Sequence, residues 1–356
     1  MKILFAVLLA VAVPCAAAAP PPALAKMWEA ANAAALKTGL RGHLRVGDLT
    51  AQHGAEVGPQ VKMMLPAMWR WASVSKQIVA TAVMQQVEAG KLDLDTPIAR
   101  YASKLKIANA GKVTLRQLLM HTSGLPNVED GPVNERKDML VQFLRTAPAW
   151  QGISPICLGP AKAEPGARFE YNDCDTEIVG AVLEAVTGRP LAKLLDERIF
   201  RPAGMTGARL LAAGDPAGRR GYFADGVADD YVDVGRFGAA GAVAGPPADL
   251  VRFDQALLGG RLIGAAARAE MWKGEPKLGF VALGQWSYTV PLKGCATPVA
   301  LVERRGQIGG VEICNVIAPA LGRIVVAFTD RPTDFGEPWQ GKGVTYELLS
   351  AALCSA

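Results

Sequence analysis

Apolar positions recur at helical spacing most clearly over residues 73–89, where Ile78, Val79, Ala82, Val83 and Val87 share a face and Gly90 ends the run. The same spacing predicts helices over 26–37, 114–120, 137–146, 177–186 (ended by Gly188), 191–198 and 249–258, the last introduced by Pro246 and Pro247. Residues 41–58 read as short strands broken by glycines. Towards the C-terminus, "FVALGQWSYTV", "PVALVE", "VEICNVIA" and "RIVVAFTD" read as strands, with a turn over 319–322 between the last two and a closing helix over 343–353. Strands therefore fall at both ends of the chain, with helices between them. The simplest arrangement is an α+β fold of the α/β-sandwich type over 26–356: a mostly antiparallel sheet from both chain ends, flanked by helices, with a helical subdomain inserted at roughly 90–235. No internal repeat is visible.

The first residues break this pattern. Lys2 precedes an apolar stretch over 3–13 and then small residues, which predicts a secretory signal over 1–25 and an exported protein, periplasmic or secreted. Ala23 and Ala25 offer one cleavage site, Ala16 and Ala18 an earlier one, and a lipidated Cys15 fits poorly behind Pro14. The stretch is shorter than the roughly 20 residues of a membrane span, so no stable span is expected.

The 356 residues are 50% hydrophobic and carry a formal charge of +5, enough apolar content for a large core. Basic residues are scattered rather than clustered, which excludes a nucleic-acid surface. Loss of Cys15 with the signal would leave an odd number of cysteines. In an oxidising compartment, Cys157 and Cys174 are expected to staple the loop between them. Cys295 and Cys314 are expected to pair if the chain turns near Arg304 and Arg305, leaving Cys354 free. There is no C-x-x-C, and the three histidines show no ligand spacing, so neither metal nor cofactor is expected.

The chemistry begins at "WASVSKQI". Ser73 and Lys76 are three apart at the start of a helix and so share a face. A partly desolvated lysine there can help to remove the hydroxyl proton, and the helix N-terminus adds positive potential where an oxyanion would form. The tetrapeptide alone is weak, being equally a capping serine and a surface lysine. Its surroundings are specific. "MWRWASVSKQIVATAVMQQVEAGKLDLDTPIARY", "VTLRQLLMHTSGLPN", "PGARFEYNDCDTEIVGAVLEAVTGRPL", "IFRPAGMTGARL" and "GAVAGPPADLVRFDQALL" resemble the serine β-lactamase-related superfamily. That superfamily includes class C β-lactamases, low-molecular-weight penicillin-binding proteins, and esterases and D-amino-acid peptidases of the same fold. The likeness runs from about residue 40 to 350 and implies the β-lactamase/transpeptidase-like fold.

The resemblance implies roles residue by residue. Ser73 matches the nucleophile and Lys76 its partner. Tyr171 matches the proton shuttle of a Tyr-x-Asn motif, but Asp173 stands where asparagine is usual. For the third motif, Lys-x-Gly or His-x-Gly, the matching stretch is read as Gln307, Ile308 and Gly309, with Gln307 the departure. The oxyanion hole would be the N–H groups of Ser73 and Gly310. Asp173 is expected to pair with Lys76 and, with Gln307 and Gly309, to face substrate; neither departure favours an anionic one. His121 is expected to be structural, and His43 and His53 to lie at the surface. Trp69, Trp71, Trp286 and Tyr288 are read as either pocket or core. No G-x-S-x-G occurs, so no Ser-His-Asp triad is indicated. The expectation is a serine hydrolase forming an acyl-enzyme on a small ester, amide or peptide. A β-lactamase or D,D-peptidase is the alternative within the class; an inactive binding or sensor protein is the alternative outside it.

Overall fold

The computed structural model describes residues 19–58, 68–148, 150 and 152–354. The helices among them are α1 (Pro22–Lys37), α2 (Ser75–Glu88), α3 (Leu115–Leu119), α4 (Asp173–Thr187), α5 (Leu191–Leu195), α6 (Arg201–Ala203), α7 (Gly238–Gly241), α8 (Pro247–Leu258), α9 (Ala265–Met271) and α10 (Val344–Cys354). The strands are β1 (Gly42–Asp48), β2 (Gln52–Val57), β3 (Trp69–Arg70), β4 (Arg209–Leu210), β5 (Val243–Gly245), β6 (Val281–Ala282), β7 (Gln285–Val290), β8 (Val299–Ile308), β9 (Val311–Ala318) and β10 (Arg323–Thr329). Seven of them form one antiparallel sheet in the order β2-β1-β10-β9-β8-β7-β6, so strands from both chain ends meet at the β1–β10 ladder. β3, β5 and β4 make a small second sheet.

Both faces of the large sheet are covered, and period-2 alternation assigns residues to each. Leu301, Val316, Val325 and Ala327 pack with α1 and α10, while Val302, Ile317, Val326 and Phe328 pack with α2 and α8. The second face carries the larger core. α2 is buried almost all round, which explains why its sequence is apolar on more than one side. Gly188 stops α4 in the left-handed region at φ 65°, where a side chain would be strained. Thr114 caps α3 through a capping box with Gln117.

Several expectations are corrected. The helix predicted over 137–146 is absent: the segment is held by bridges between Val133 and Leu140 and between Leu144 and Val232, with only a 3-10 turn at Val141–Phe143. Its apolar residues had helical spacing, but cross-chain pairing satisfies the backbone instead. The predicted 191–198 helix is α5 followed by a π turn at Asp196–Phe200 and then α6. Cys157 and Cys174 are disulfide-bonded as expected. Cys295 pairs with Cys354, not Cys314, which is free and buried. The reason is register: the β8–β9 hairpin turns at Gly309 and Gly310, five residues later than assumed for Arg304 and Arg305, so Cys314 lies opposite Arg305. The leader expected over 1–25 lies mostly outside the described residues, and α1 already begins at Pro22. No described helix is long and apolar enough to cross a membrane.

Candidate active site

Ser73 lies in a 3-10 turn, Ala72–Val74, that runs directly into α2. Ala72 before it is buried at φ 46°, a left-handed conformation costing an L-residue roughly 1–2 kcal/mol. Such strain collects where a side chain must be presented at a fixed angle. β8 presses against this turn. A Cβ on Gly306 would come 2.7 Å from Trp71 O and 2.9 Å from Ser73 N, so only glycine allows the approach.

Lys76, the second residue of α2, is 1% exposed. Its Nζ donates to Ser73 Oγ at 3.2 Å and to Ala240 O, on α7, at 2.8 Å, and lies 2.7 Å from Asp173 Oδ1. Lys76 thus donates to Ser73 Oγ and to a backbone carbonyl while it is ion-paired with Asp173, an arrangement that makes it a donor to Ser73. The expected Lys76–Asp173 pair therefore forms. Asp173 is the first residue of α4, where the helix N-terminus also favours an anion.

Tyr171 lies closer to the serine than Lys76 does. Its hydroxyl is 2.7 Å from Ser73 Oγ, close enough for direct proton transfer. Arg304 Nη2 donates to the same phenol oxygen at 2.6 Å, and Arg304 Nε donates to Ser73 O at 2.8 Å. Arg304 is itself 1% exposed and sits over the Trp286 ring, 5.1 Å from its centroid. Two cations thus surround the Tyr171–Ser73 pair and favour negative charge on either oxygen. His121 packs beneath Tyr171 with ring centroids 4.6 Å apart, its Nδ1 accepting from Asn172 N–H at 3.3 Å. Burial first, then the charges of Arg304 and Lys76, hold its pKa well below the usual imidazole value. It is a neutral packing residue, as expected.

Two site expectations change. The triplet facing Ser73 is Arg304, Arg305 and Gly306, three residues before the one read from sequence. Side-chain parity explains this: even-numbered residues of β8 such as Val302 and Ile308 face the helices, so Arg304 does too, whereas Gln307 is odd and exposed. Arg304 was missed because two glycine-bearing triplets, Arg304 to Gly306 and Gln307 to Gly309, follow one another directly at the end of β8. Its signal was that, among the even-numbered residues that share one face of β8, it is the lone charge between Val302 and Ile308. The second change concerns Gly310, whose N–H donates to Asp229 Oδ2 at 3.0 Å and is not available to an oxyanion. Asp229 is buried and paired with Arg70 at 2.8 Å, so this contact ties the hairpin to β3. The better second donor is the N–H of Gln307. The two-residue hairpin makes Ile308 and Val311 the hydrogen-bonded pair, which turns the Gln307 N–H away from β9 towards the edge beside Ser73. The β6–β7 hairpin gives the same parity independently, through Trp286 and Glu303. β7 ends there, leaving that edge of β8 open.

The cleft in front of Ser73 has a volume of about 1250 Å³. Val128, Val133, Met139, Leu140 and Phe143 contribute apolar lining, and the carboxylates Glu303, Glu312, Asp334 and Glu337 line it together with the cations Lys137, Arg305 and Lys342. Gln307, Gly309, Asp173 and Trp286 also line it. Arg305 is engaged by Glu303 at 2.5 Å and Glu337 at 3.3 Å. Glu129 lies at the rim, where partial burial, and then the negative charge of Asp173, raise its carboxyl above the usual value. Trp69 and Trp71 belong to the core, and Tyr288 faces the opposite side of the sheet and donates to Glu303. No cluster of histidine, cysteine and carboxylate side chains suited to a metal occurs among the described residues.

A helix-borne serine and lysine, a tyrosine from the helical region and a strand edge closing the opposite side define a β-lactamase/transpeptidase-fold hydrolase. The chain belongs to the beta-lactamase family, whose model matches residues 40–337. It is 29% identical over 263 residues to the putative penicillin-binding protein PbpX of Bacillus subtilis (strain 168), covering 72% of this chain and 61% of that one. It is 33% identical over 154 residues to esterase EstB of Burkholderia gladioli, covering 41% of this chain and 39% of the esterase. The chain therefore matches less than two thirds of either relative's length. Among solved structures, the D-amino acid amidase from Ochrobactrum anthropi SV3 complexed with D-phenylalanine superposes with a TM-score of 0.70 at 22% identity, covering 94% of this chain and 98% of the amidase.

Proposed function

We propose that this protein is an exported serine hydrolase that cleaves a small ester or amide through an acyl-enzyme. The observation that carries the reading is the 2.7 Å contact between Tyr171 OH and Ser73 Oγ, with Arg304 2.6 Å from the same phenol oxygen. Tyr171, as phenolate stabilised by Arg304, accepts the Ser73 proton while Oγ attacks the carbonyl carbon. The developing oxyanion accepts from the N–H groups of Ser73 and Gln307. Tyr171 returns the proton to the leaving oxygen or nitrogen, and water then attacks the acyl-enzyme by the reverse transfer.

The charge pattern favours a substrate carrying a free amine. Glu129, Asp138, Asp173, Glu303, Glu312, Asp334 and Glu337 line the cleft against Lys137, Arg304, Arg305 and Lys342, an excess of acid. Arg304 and Arg305, the cations of the third motif, are engaged by Tyr171, Ser73 O, Glu303 and Glu337 rather than turned to a substrate carboxylate. This argues against a β-lactamase or D,D-peptidase, whose substrates present that carboxylate. The D-amino acid amidase likeness supports the amine-bearing reading. The inactive-protein alternative is disfavoured because nucleophile, base and cations all stand within hydrogen-bond reach.

The test is intact-mass spectrometry after exposure to a short-chain p-nitrophenyl ester, with turnover followed for p-nitrophenyl acetate and for an amino-acid p-nitroanilide. An acyl adduct and turnover that both vanish in Ser73→Ala are expected. Turnover that survives in Ser73→Ala, or complete absence of adduct and turnover with every ester and anilide, would sink the proposal.

A further inference from the structure

Asp173 is the first residue of α4 and Tyr171 lies two residues before it, so the Asp173 N–H and the Tyr171 carbonyl fall outside the helix's own ladder. One side chain takes both. Asn127 Nδ2 donates to Tyr171 O at 2.8 Å, and Asn127 Oδ1 accepts the Asp173 N–H at 3.3 Å. A carbonyl only accepts and an N–H only donates, so the orientation of the amide is fixed, and asparagine is the side chain of that length that offers a donor and an acceptor side by side. The grip is returned from the other segment: Asn172 Nδ2 donates to Leu125 O at 3.2 Å and to Pro126 O at 3.0 Å. Asn127 and Asn172 are each 2% exposed, so these bonds form out of competition with bulk water. We propose that Asn127 is a positioning residue for the reaction: by bracketing the main chain of residues 171–173 it sets both the reach of Tyr171 OH to Ser73 Oγ and that of Asp173 to Lys76.

The bracket is anchored independently of the side chain that makes it. The Asn127 N–H donates to Asp130 Oδ2 at 2.9 Å, the Asn127 carbonyl accepts the Asp130 N–H at 3.0 Å, and Lys162 pairs with Asp130 at 2.8 Å. Just upstream, the Leu125 N–H donates to Ser123 Oγ at 3.1 Å. Val128 and Glu129, which follow Asn127 and line the cleft, are therefore held by main-chain contacts that a change at the Asn127 side chain leaves in place. The other ties on the 171–173 segment act on neighbouring positions: the Asn172 N–H donates to His121 Nδ1 at 3.3 Å, and Cys174 is bridged to Cys157. The Asn127 amide acts on the two residues whose side chains meet Ser73 and Lys76. A tyrosine hydroxyl lies a full side chain from its main chain, so a small rotation of the backbone becomes a large displacement at the oxygen. A misplacement of about 1 Å at a reacting group can cost about 10²-fold in rate.

The inference rests on the acyl-enzyme reading, and the experiment keeps the two apart by pairing kinetics with crystallography on the full chain. Asn127→Ala removes both bonds. Asn127→Asp keeps the shape and the acceptor for the Asp173 N–H but sets an oxygen against Tyr171 O, and it carries the same readouts should the alanine variant fail to fold. Val325→Ala, in the core on the α10 face of the sheet, lowers stability without touching either segment. Thermal melts rank the stability of all three. With p-nitrophenyl acetate, kcat is expected to fall about 10- to 10²-fold in both Asn127 variants with KM within about threefold, and to stay within about twofold of wild type in Val325→Ala. In the crystal of an Asn127 variant, Tyr171 OH is expected to lie beyond hydrogen-bond reach of Ser73 Oγ. A folded Asn127 variant with wild-type kcat, a change confined to KM, or an equal loss of kcat in Val325→Ala would overturn the proposal. If wild type shows no Ser73-dependent turnover, the acyl-enzyme reading fails by itself, and the variant crystal still decides the positioning role: Tyr171 OH remaining 2.7 Å from Ser73 Oγ, as in the intact protein, would overturn it.

Discussion

Arg304 puts a permanent charge on the oxygen that must gain and lose a proton. A lysine or histidine in that place titrates, whereas a guanidinium does not in any accessible range, and its planar fork reaches Tyr171 OH and Ser73 O together. Removing it would leave the phenol and a backbone carbonyl without their donor in a closed site. Arg304→Ala is expected to lower kcat by about 10²- to 10³-fold, the usual loss for one preorganised donor, with KM little changed. Arg304→Lys should recover part of the rate but cannot make both contacts. Steady-state kinetics on the ester substrate, beside melting curves showing that both variants fold, provide the check. A kcat within twofold of wild type in Arg304→Ala would remove Arg304 from the mechanism.

At the scale of elements, α1 bears on how the chain would be processed. Leu24 lies in its first turn and is 0% exposed, packed with Met27, Ala31 and Ala35 against the sheet and α10. Cleavage after Ala25 would cut the helix and discard that side chain; cleavage after Ala18 would leave the helix whole. If the leader is removed, the processed chain is expected to begin at Ala19, as read by N-terminal sequencing or intact mass. A chain shortened to begin at Lys26 should be less stable by about 2–5 kcal/mol, the cost of losing a buried leucine. A natural start at Lys26 would contradict the argument.

The disulfides act at the same scale. The Cys157–Cys174 bridge ties the loop before α4 to the residue that follows Asp173, so it braces the carboxylate beside Lys76. The Cys295–Cys354 bridge fastens the end of α10 to the segment between β7 and β8. One holds the candidate site and the other holds the back of the sheet.

Across the whole molecule, buried acids set the pH dependence of stability. Burial pushes the carboxyls of Asp175 and Asp254 well above their usual value, and that of Glu177 up to about 7. A folded-state pKa above the unfolded one gives stability that is complete below the unfolded value and is lost as pH rises through the folded one. For Glu177 the loss falls between about 4.5 and about 7; for the two aspartates it begins near 3.8 and continues upward. The protein should therefore melt at a higher temperature at pH 5 than at pH 8. Asp254 accepts from Asn315 Nδ2 at 3.1 Å through Oδ1, while its Oδ2 is buried without a hydrogen-bond partner among the described residues. Asp254→Asn keeps that acceptor and removes the titration, so it should narrow the difference in Tm between pH 5 and pH 8. An unchanged difference in differential scanning fluorimetry would show that Asp254 does not contribute to it.

Much of this was legible in local pattern. The apolar period of α2, the alternation in β8 to β10, the stops at Gly90 and Gly188, and the pairing of Cys157 with Cys174 all follow from short-range rules. So do Ser73 and Lys76, because two residues three positions apart on one helical turn meet whatever the rest of the chain does. The 137–146 segment shows where such rules end: the same apolar spacing could serve a helix or a surface packed against other strands, and partners distant in sequence chose the second.

Composition and periodicity by themselves determined an α+β domain with strands at both ends, and the i, i+3 spacing determined the serine–lysine pair. Only the tertiary structure decided that Arg304 rather than Gln307 faces Ser73, that the Gly310 N–H belongs to Asp229, and that Cys295 meets Cys354. All three depend on where the β8–β9 hairpin turns or on where a remote segment docks. A strand's side chains alternate, so a register shift of one residue exchanges its faces. Alternation fixes which residues of β8 share a face, but only the packed structure shows which of those faces meets α2 and which meets α10.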